Sequence, residues 1–184
     1  MKKKVALLGD SIRLIGYGTK VPEMLGDDYE VFQPADNCRF AKYTLRMLFD
    51  LKDALKDCDV IHWNNGLWDV CDLFNDGKLF STDEEYVENM LRIAAQLKKI
   101  TPNVIFATTT PVRPENPHNS NTDIQRFNAL IVPRLQEMGF KIIDLYTVVA
   151  EDIKKNICDD LIHLSEAGIT ACSEKVVAAI KAFE

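Results

Sequence analysis

The chain contains a serine in a position that suits nucleophilic chemistry. Ser11 comes directly after an apolar run, in the order Leu8-Gly9-Asp10-Ser11. A serine in the turn after a strand can present its hydroxyl to a cleft, and its own backbone N–H points into the same space. The alternative is a turn serine that bonds only nearby backbone groups, which is common at such turns.

A histidine with a carboxylate at a suitable spacing supplies a candidate base. Asp160 lies three residues before His163, so its side chain can accept the Nδ1 proton and leave Nε2 free to act as a base. The adjacent Asp159 is an alternative orienting acid, and a helix-start histidine with an incidental acidic neighbour is the alternative without catalysis. His62 lies on an expected strand and His118 in a loop rich in Pro and Asn, which leaves His163 as the candidate.

A third polar stretch, His62-Trp63-Asn64-Asn65-Gly66, ends another apolar run. An asparagine amide aimed at a reacting carbonyl is a good donor to the oxyanion that forms there. Asn65-Gly66 is already explained as a turn signal, so Asn64 is the candidate donor.

The elements that must position these residues follow from an alternation of short apolar runs and longer amphipathic segments. The runs predict buried strands at Val5–Leu8, Tyr29–Phe32, Val60–Trp63, Val104–Ala107 and Ile142–Leu145. The segments predict helices over residues 41–58, 83–100, 122–138 and from Ser165 to about Phe183. A capping box is expected at residues 81–84, and Pro133 is expected to kink its helix or divide it into two shorter pieces. This rhythm predicts an α/β fold, a three-layer α/β/α sandwich around a five-stranded parallel sheet, in one domain spanning residues 1–184. Ligands bind such sheets at the carboxyl ends of the strands, which is where the three polar stretches lie.

Composition excludes several classes of partner. The 184 residues carry 22 Lys and Arg against 28 Asp and Glu, a net charge of -6 that disfavours nucleic acid. No apolar stretch is long enough to span a membrane, and five cysteines without a C-x-x-C pair favour reduced thiols, so we expect a cytoplasmic protein. No zinc, dinucleotide or phosphate-loop motif occurs, so we expect neither a metal nor an organic cofactor. The sequence leaves the oligomeric state open.

Taken together, the three stretches resemble the SGNH hydrolases, the superfamily of GDSL-type esterases and lipases. Gly9-Asp10-Ser11 matches the first block of that superfamily, and Asp160 to His163 matches its last block, D-x-x-H. Its third block, usually G-x-N-D, maps onto residues 62–65, with His62 in place of the glycine and Asn65 in place of the aspartate.

The resemblance implies a flavodoxin-like fold and assigns roles to four residues. Ser11 would be the nucleophile, His163 the general base, Asp160 its orienting partner, and Asn64 an oxyanion donor together with the Ser11 N–H. The expected reaction is hydrolysis of a small acyl ester, foremost an acetyl ester on a carbohydrate. A thioesterase or acyltransferase on the same site, and a non-catalytic flavodoxin-like binding module, are the alternatives.

The second block of the family departs most from its pattern. It normally supplies a glycine N–H to the oxyanion, but the matching stretch, residues 37–43, contains no glycine. Ala41 or Lys42, or Cys38 or Arg39 if the loop aligns differently, are the candidate backbone donors. The candidate substrate contacts are Asp10, Arg39, Trp63 and Arg113.

Overall fold

The computed structural model describes residues 2–183. Within this range the strands are β1 Lys3–Leu8, β2 Tyr29–Phe32, β3 Val60–Trp63, β4 Val104–Ala107 and β5 Lys141–Ile143. The α-helices are α1 Val21–Leu25, α2 Ala41–Asp50, α3 Lys52–Leu55, α4 Asp83–Ile100, α5 Asn121–Glu137, α6 Leu145–Ala150, α7 Ile153–Asn156 and α8 Glu166–Lys181.

The five strands form one sheet in the order β2-β1-β3-β4-β5, and every neighbouring pair is parallel. Helices α2, α4 and α5 pack in one group, and α1, α6 and α7 pack against α8 in another. This confirms the predicted α/β fold with a five-stranded parallel sheet. The strand order reverses between β1 and β3, which pair with Leu8 opposite Trp63. A crevice therefore opens at the carboxyl ends of these two strands.

The sheet is buried because its central strands are covered on both faces. All four residues of β3 and all four of β4 are buried, as are Val5 to Leu8 in β1. The Trp63 ring packs edge-on against Phe106 and Phe140. Such near-continuous apolar strands are typical of parallel sheets with helices on both sides.

Several predicted boundaries differ from the structure. The helix expected over residues 41–58 ends at Asp50 and is followed by the separate α3, because Leu51 leaves the helical conformation. The capping box of α4 is formed by Thr82 and Glu85, one residue later than predicted. Strand β5 ends before Leu145, since Asp144 accepts from the Thr147 N–H and starts α6.

Helix α5 runs through Pro133 as one element. It ends at Glu137 with Met138 as its C-cap residue, and Gly139 follows with a φ of 76°, the left-handed conformation that commonly terminates a helix. None of the helices in residues 2–183 combines the length and the apolar character needed to cross a membrane.

Candidate active site

Ser11 opens a tight π-helical turn, residues 12–16, immediately after β1. Asp10 builds this turn: its Oδ1 accepts from the Ile12 N–H at 2.9 Å, and its carbonyl accepts from the N–H groups of Arg13 and Leu14. Within residues 2–183, the Ser11 N–H has no acceptor, so this donor is available to a ligand.

The hydroxyl of Ser11, the imidazole of His163 and the carboxylate of Asp160 form a continuous chain of contacts. The Nε2 atom of His163 lies 2.9 Å from Ser11 Oγ, and its Nδ1 atom lies 2.8 Å from Asp160 Oδ2. Asp160 Oδ1 accepts from the backbone N–H groups of His163 and Ile162 at 2.9 and 3.1 Å. A carboxylate at Nδ1 fixes the tautomer in which Nε2 can accept the serine proton.

The charge of Asp160 is maintained by its hydrogen bonds. Its partial burial opposes ionisation, but the N–H groups of His163 and Ile162 and the imidazole favour the charged form and lower the pKa of the carboxyl. Asp160 is therefore an anion at neutral pH and can stabilise an imidazolium.

The segment that carries Asp160 and His163 is held from outside by Arg113. The guanidinium donates to the carbonyls of Ile157 and Lys154, at 2.6 and 3.2 Å for Nη2, and lies 3.1 Å from the carboxylate of Asp159. Arg113 was expected to contact a substrate, but its guanidinium is engaged by these partners within the protein. Asp159 is fully exposed and faces Arg113, so of the two candidate acids only Asp160 contacts the imidazole.

Asn64 is fixed by partners on both sides of its amide. Its Oδ1 accepts from the Tyr17 hydroxyl at 2.8 Å, and its Nδ2 donates to Asp10 Oδ1 at 2.9 Å. Since a carboxylate only accepts, the nitrogen must face Asp10, and one of its two protons remains for another acceptor. Gly9 lies against this amide, and a Cβ at that position would overlap Asn64 Oδ1.

Two residues expected to contact the substrate, Asp10 and Trp63, have fully buried side chains, which argues against direct contact. Asp10 has no exposed surface and bonds Asn64 and the Ile12 N–H, and burial raises the pKa of its carboxyl. Trp63 also has no exposed surface, and its indole N–H donates to Asn65 Oδ1 at 2.6 Å. Both residues shape the site from behind it. Arg39 is exposed, with its guanidinium over the Tyr43 ring, and stays a candidate contact.

Three of the four candidate backbone donors after β2 already have acceptors within the protein. The N–H groups of Cys38, Arg39 and Ala41 donate to the Gly9 carbonyl, to Asn37 Oδ1 and to the Asp69 carboxylate, respectively. Among the four candidates, Lys42 alone has an N–H without an acceptor within residues 2–183. Arg39 has a φ of 51°, the left-handed conformation that favours glycine.

Arg13 holds this loop against the serine turn. Its side chain is buried, and its guanidinium donates to the carbonyls of Gly9, Pro34 and Asp36 at 3.0 to 3.1 Å. The loop between β2 and α2 is thus attached to the residue that precedes Asp10.

His62 does not act as a base at this site. It is buried, burial and the nearby Arg13 charge lower the pKa of its imidazole to about 3, and neither ring nitrogen has a hydrogen-bond partner within residues 2–183. Nor does any group of three His, Cys, Asp or Glu side chains in that part of the chain lie close enough to hold a metal ion.

Sequence reasoning missed three residues that position the site. Tyr17 orients Asn64, Asn65 donates to the Arg39 carbonyl at 2.8 Å, and Asp69 receives the Ala41 N–H. Only Asp69 had a local signal, since an acid between Leu67 and Val70 interrupts an apolar stretch.

Comparisons with known proteins bear on the fold. No family model matches the sequence, and no curated protein does either. An acetyl xylan esterase superimposes with a TM-score of 0.78 at 20% identity, over 96% of this chain and 99% of the other. A GDSL-like lipase from Bacteroides thetaiotaomicron gives 0.76 at 18% identity, over 98% and 88%. The acetylxylan esterase Axe2 from Geobacillus stearothermophilus gives 0.79 at 17% identity, over 97% and 94%.

This is the SGNH hydrolase fold. The similarity covers nearly the whole chain, so the resemblance suggested by the sequence is confirmed for the fold. In this SGNH fold, the Ser11 turn follows β1, Asn64 follows β3, and Asp160 and His163 precede α8. Because a fold hosts many activities, the reaction has to be argued from the site itself.

Proposed function

We propose that this protein is a serine esterase that hydrolyses small acyl esters. The observation that carries the proposal is the chain of contacts from Ser11 Oγ through His163 to Asp160, with distances of 2.9 and 2.8 Å. These distances are within hydrogen-bond reach, which is what proton transfer from a hydroxyl to a base requires.

The proposed reaction has two steps. His163 Nε2 takes the proton of Ser11 as the oxygen attacks the ester carbonyl, and Asp160 stabilises the resulting imidazolium. The same imidazole then gives the proton to the leaving alcohol, and an acyl group remains on Ser11. In the second step, His163 removes a proton from water as the water oxygen attacks the acyl carbonyl; the bond to Ser11 Oγ then breaks, the imidazolium returns the proton to Ser11, and the acid leaves.

The negative charge of the tetrahedral intermediate needs donors that are already in place. The free proton of the Asn64 amide and the unpaired Ser11 N–H are two such donors, with a third assigned to the loop of residues 37–43. Donors held rigidly in this way stabilise the transition state without reorganising, and losing one costs about 10²–10³ in kcat.

The proposed substrate is an acetyl ester on a carbohydrate. Two of the structures with similar folds are acetyl xylan esterases by name. Exposed aromatic side chains lie in the same loops as the site: Phe80 packs against Phe40 with ring centroids 4.9 Å apart, and Trp68 is also exposed. Flat rings of this kind offer apolar surface to one face of a sugar.

The test is hydrolysis of p-nitrophenyl acetate by the wild type and by Ser11→Ala, with Ser120→Ala as a matched control. Ser120 caps α5 and takes no part in the proposed site. We expect Ser11→Ala to lose the activity and Ser120→Ala to keep it; equal rates in wild type and Ser11→Ala would remove the nucleophile. Product analysis with acetylated xylo-oligosaccharides and an added alcohol then tests the acceptor, because transfer would yield a new ester in place of acetate.

A further inference from the structure

The carboxylate of Asp69 joins three segments beside the proposed site. The side chain is buried; its Oδ2 accepts from the Ala41 N–H at 2.9 Å, and its Oδ1 accepts from the Ser81 hydroxyl at 2.8 Å. The backbones of Asp69 and Ser81 are also joined, since the Ser81 N–H donates to the Asp69 carbonyl. Asp69 thus connects the segment after β3 with the start of α2 and with the residues before α4.

Asp69 supplies the cap that α2 lacks. Phe40 is the N-cap residue of α2 and has no side chain that can accept a hydrogen bond, so the orphan amide of Ala41 is satisfied from another segment. An ionised carboxylate at a helix N-terminus also interacts favourably with the helix dipole.

The loop that Asp69 holds is strained at its centre. Arg39 keeps its left-handed backbone although it is not glycine, a conformation that is unfavourable for a residue with a side chain. Asn65 fixes the carbonyl of Arg39, and Asp69 fixes the N–H of Ala41 two residues later. Removing either contact would let the loop relax away from the conformation that Arg39 holds.

We propose that Asp69 is a positioning residue of the esterase reaction: its ionised carboxylate holds residues 39–41 in the active conformation, and proton uptake by Asp69 loosens that hold. This inference rests on the proposed function, because the third oxyanion donor is assigned to the same loop. Asp69 does not touch the reacting atoms and acts only through the loop.

The surroundings of Asp69 make its charge sensitive to pH near neutrality. Burial is the main cause that raises the pKa of its carboxyl to about 7, and the charge of Asp10 adds to it, while the Ser81 hydroxyl and the Ala41 N–H oppose it. From α4, the titratable group facing it is the phenol of Tyr86, which is neutral in this range because burial raises its pKa well above 10.

The test compares kcat of the wild type with kcat of Asp69→Asn from pH 5.5 to 8.5. The other groups of the site are the same in both enzymes, so the ratio of the two rates isolates Asp69. At pH 8.5 we expect the wild-type kcat to exceed that of Asp69→Asn by about tenfold or more, since small misplacements in an active site cost up to about a hundredfold. At pH 5.5, where Asp69 of the wild type is protonated, the ratio should fall towards one. The control Asp123→Asn removes a carboxylate at the start of a helix whose pKa is lowered chiefly by its bond to Ser120. The ratio of wild-type kcat to Asp123→Asn kcat should therefore not change with pH.

A second variant keeps the test decisive if Asp69→Asn does not fold. Ser81→Ala removes a hydrogen bond that favours the charged form of Asp69, so the step in its own kcat with pH should lie at higher pH than the step in the kcat of the wild type. A ratio independent of pH for Asp69→Asn, or an unmoved step in Ser81→Ala, would overturn the inference. If the wild type shows no Ser11-dependent hydrolysis, the proposed function fails instead, and the two failures are therefore distinguishable.

Discussion

The contact between Gly9 and Asn64 gives a quantitative test of the proposed oxyanion donor. A methyl group at position 9 would overlap Asn64 Oδ1 and would lie 2.9 Å from both Asn64 Cγ and Arg13 Cβ. Carbon atoms in contact normally stay about 3.5–4.0 Å apart. In Gly9→Ala, the Asn64 amide must therefore shift by on the order of an ångström.

Such a shift would break both bonds that orient the amide, from Tyr17 at 2.8 Å and to Asp10 at 2.9 Å. The triad contacts of Ser11 stay in place, so the expected loss is that of one oxyanion donor, about 10²–10³ in kcat. The buried partners left unpaired also cost about 1–3 kcal/mol each in the free energy of unfolding.

A double-mutant cycle with Asn64→Ala identifies the cause. The kcat values for p-nitrophenyl acetate are measured for both single variants and for the double variant. If the methyl acts through Asn64, the double variant loses no more than Asn64→Ala alone, because the overlapping amide is gone. Losses that multiply would refute this reasoning and would point to the contact with Arg13.

Two further predictions concern other parts of the site. Asp160→Asn should lower kcat by about a hundredfold or more because it removes the carboxylate at Nδ1, whereas Asp159→Asn should stay within about twofold; a larger effect at position 159 would reverse the assignment. His62 has a folded pKa of about 3 against about 6.5 in an unfolded chain, so the stability it provides is present above about 6.5 and is lost as the pH falls towards 3. Urea unfolding should therefore show His62→Phe gaining about 3 kcal/mol on the wild type between pH 7.5 and 4.5, and a constant difference would contradict the buried neutral imidazole.

The parts of the site that the sequence predicted depend on short-range or topological rules. Asp160 and His163 are three residues apart, so their contact follows from a single turn. Ser11 and Asn64 follow neighbouring strands of a parallel sheet, and the carboxyl ends of such strands meet at one edge.

The parts that it did not predict depend on contacts between distant segments. Tyr17 reaches Asn64 across 47 residues, and Asp69 reaches Ala41 across 28, which no local pattern encodes. Trp63 was expected to contact substrate because it ends a strand at the sheet edge, but its side chain is buried. The hydrogen bonds of Arg113 were not predicted because most of its acceptors are backbone carbonyls, which any sequence provides.

The nucleophile and its base come from segments separated by 152 residues, whereas the base and its orienting acid belong to one turn. During refolding, the turn can form by itself, but the serine oxygen meets the imidazole only when the region before α8 has docked against β1. Ester hydrolysis should therefore recover only when this long-range contact has formed, later than any signal from helix formation. The rate of its recovery would measure the rate of that last step.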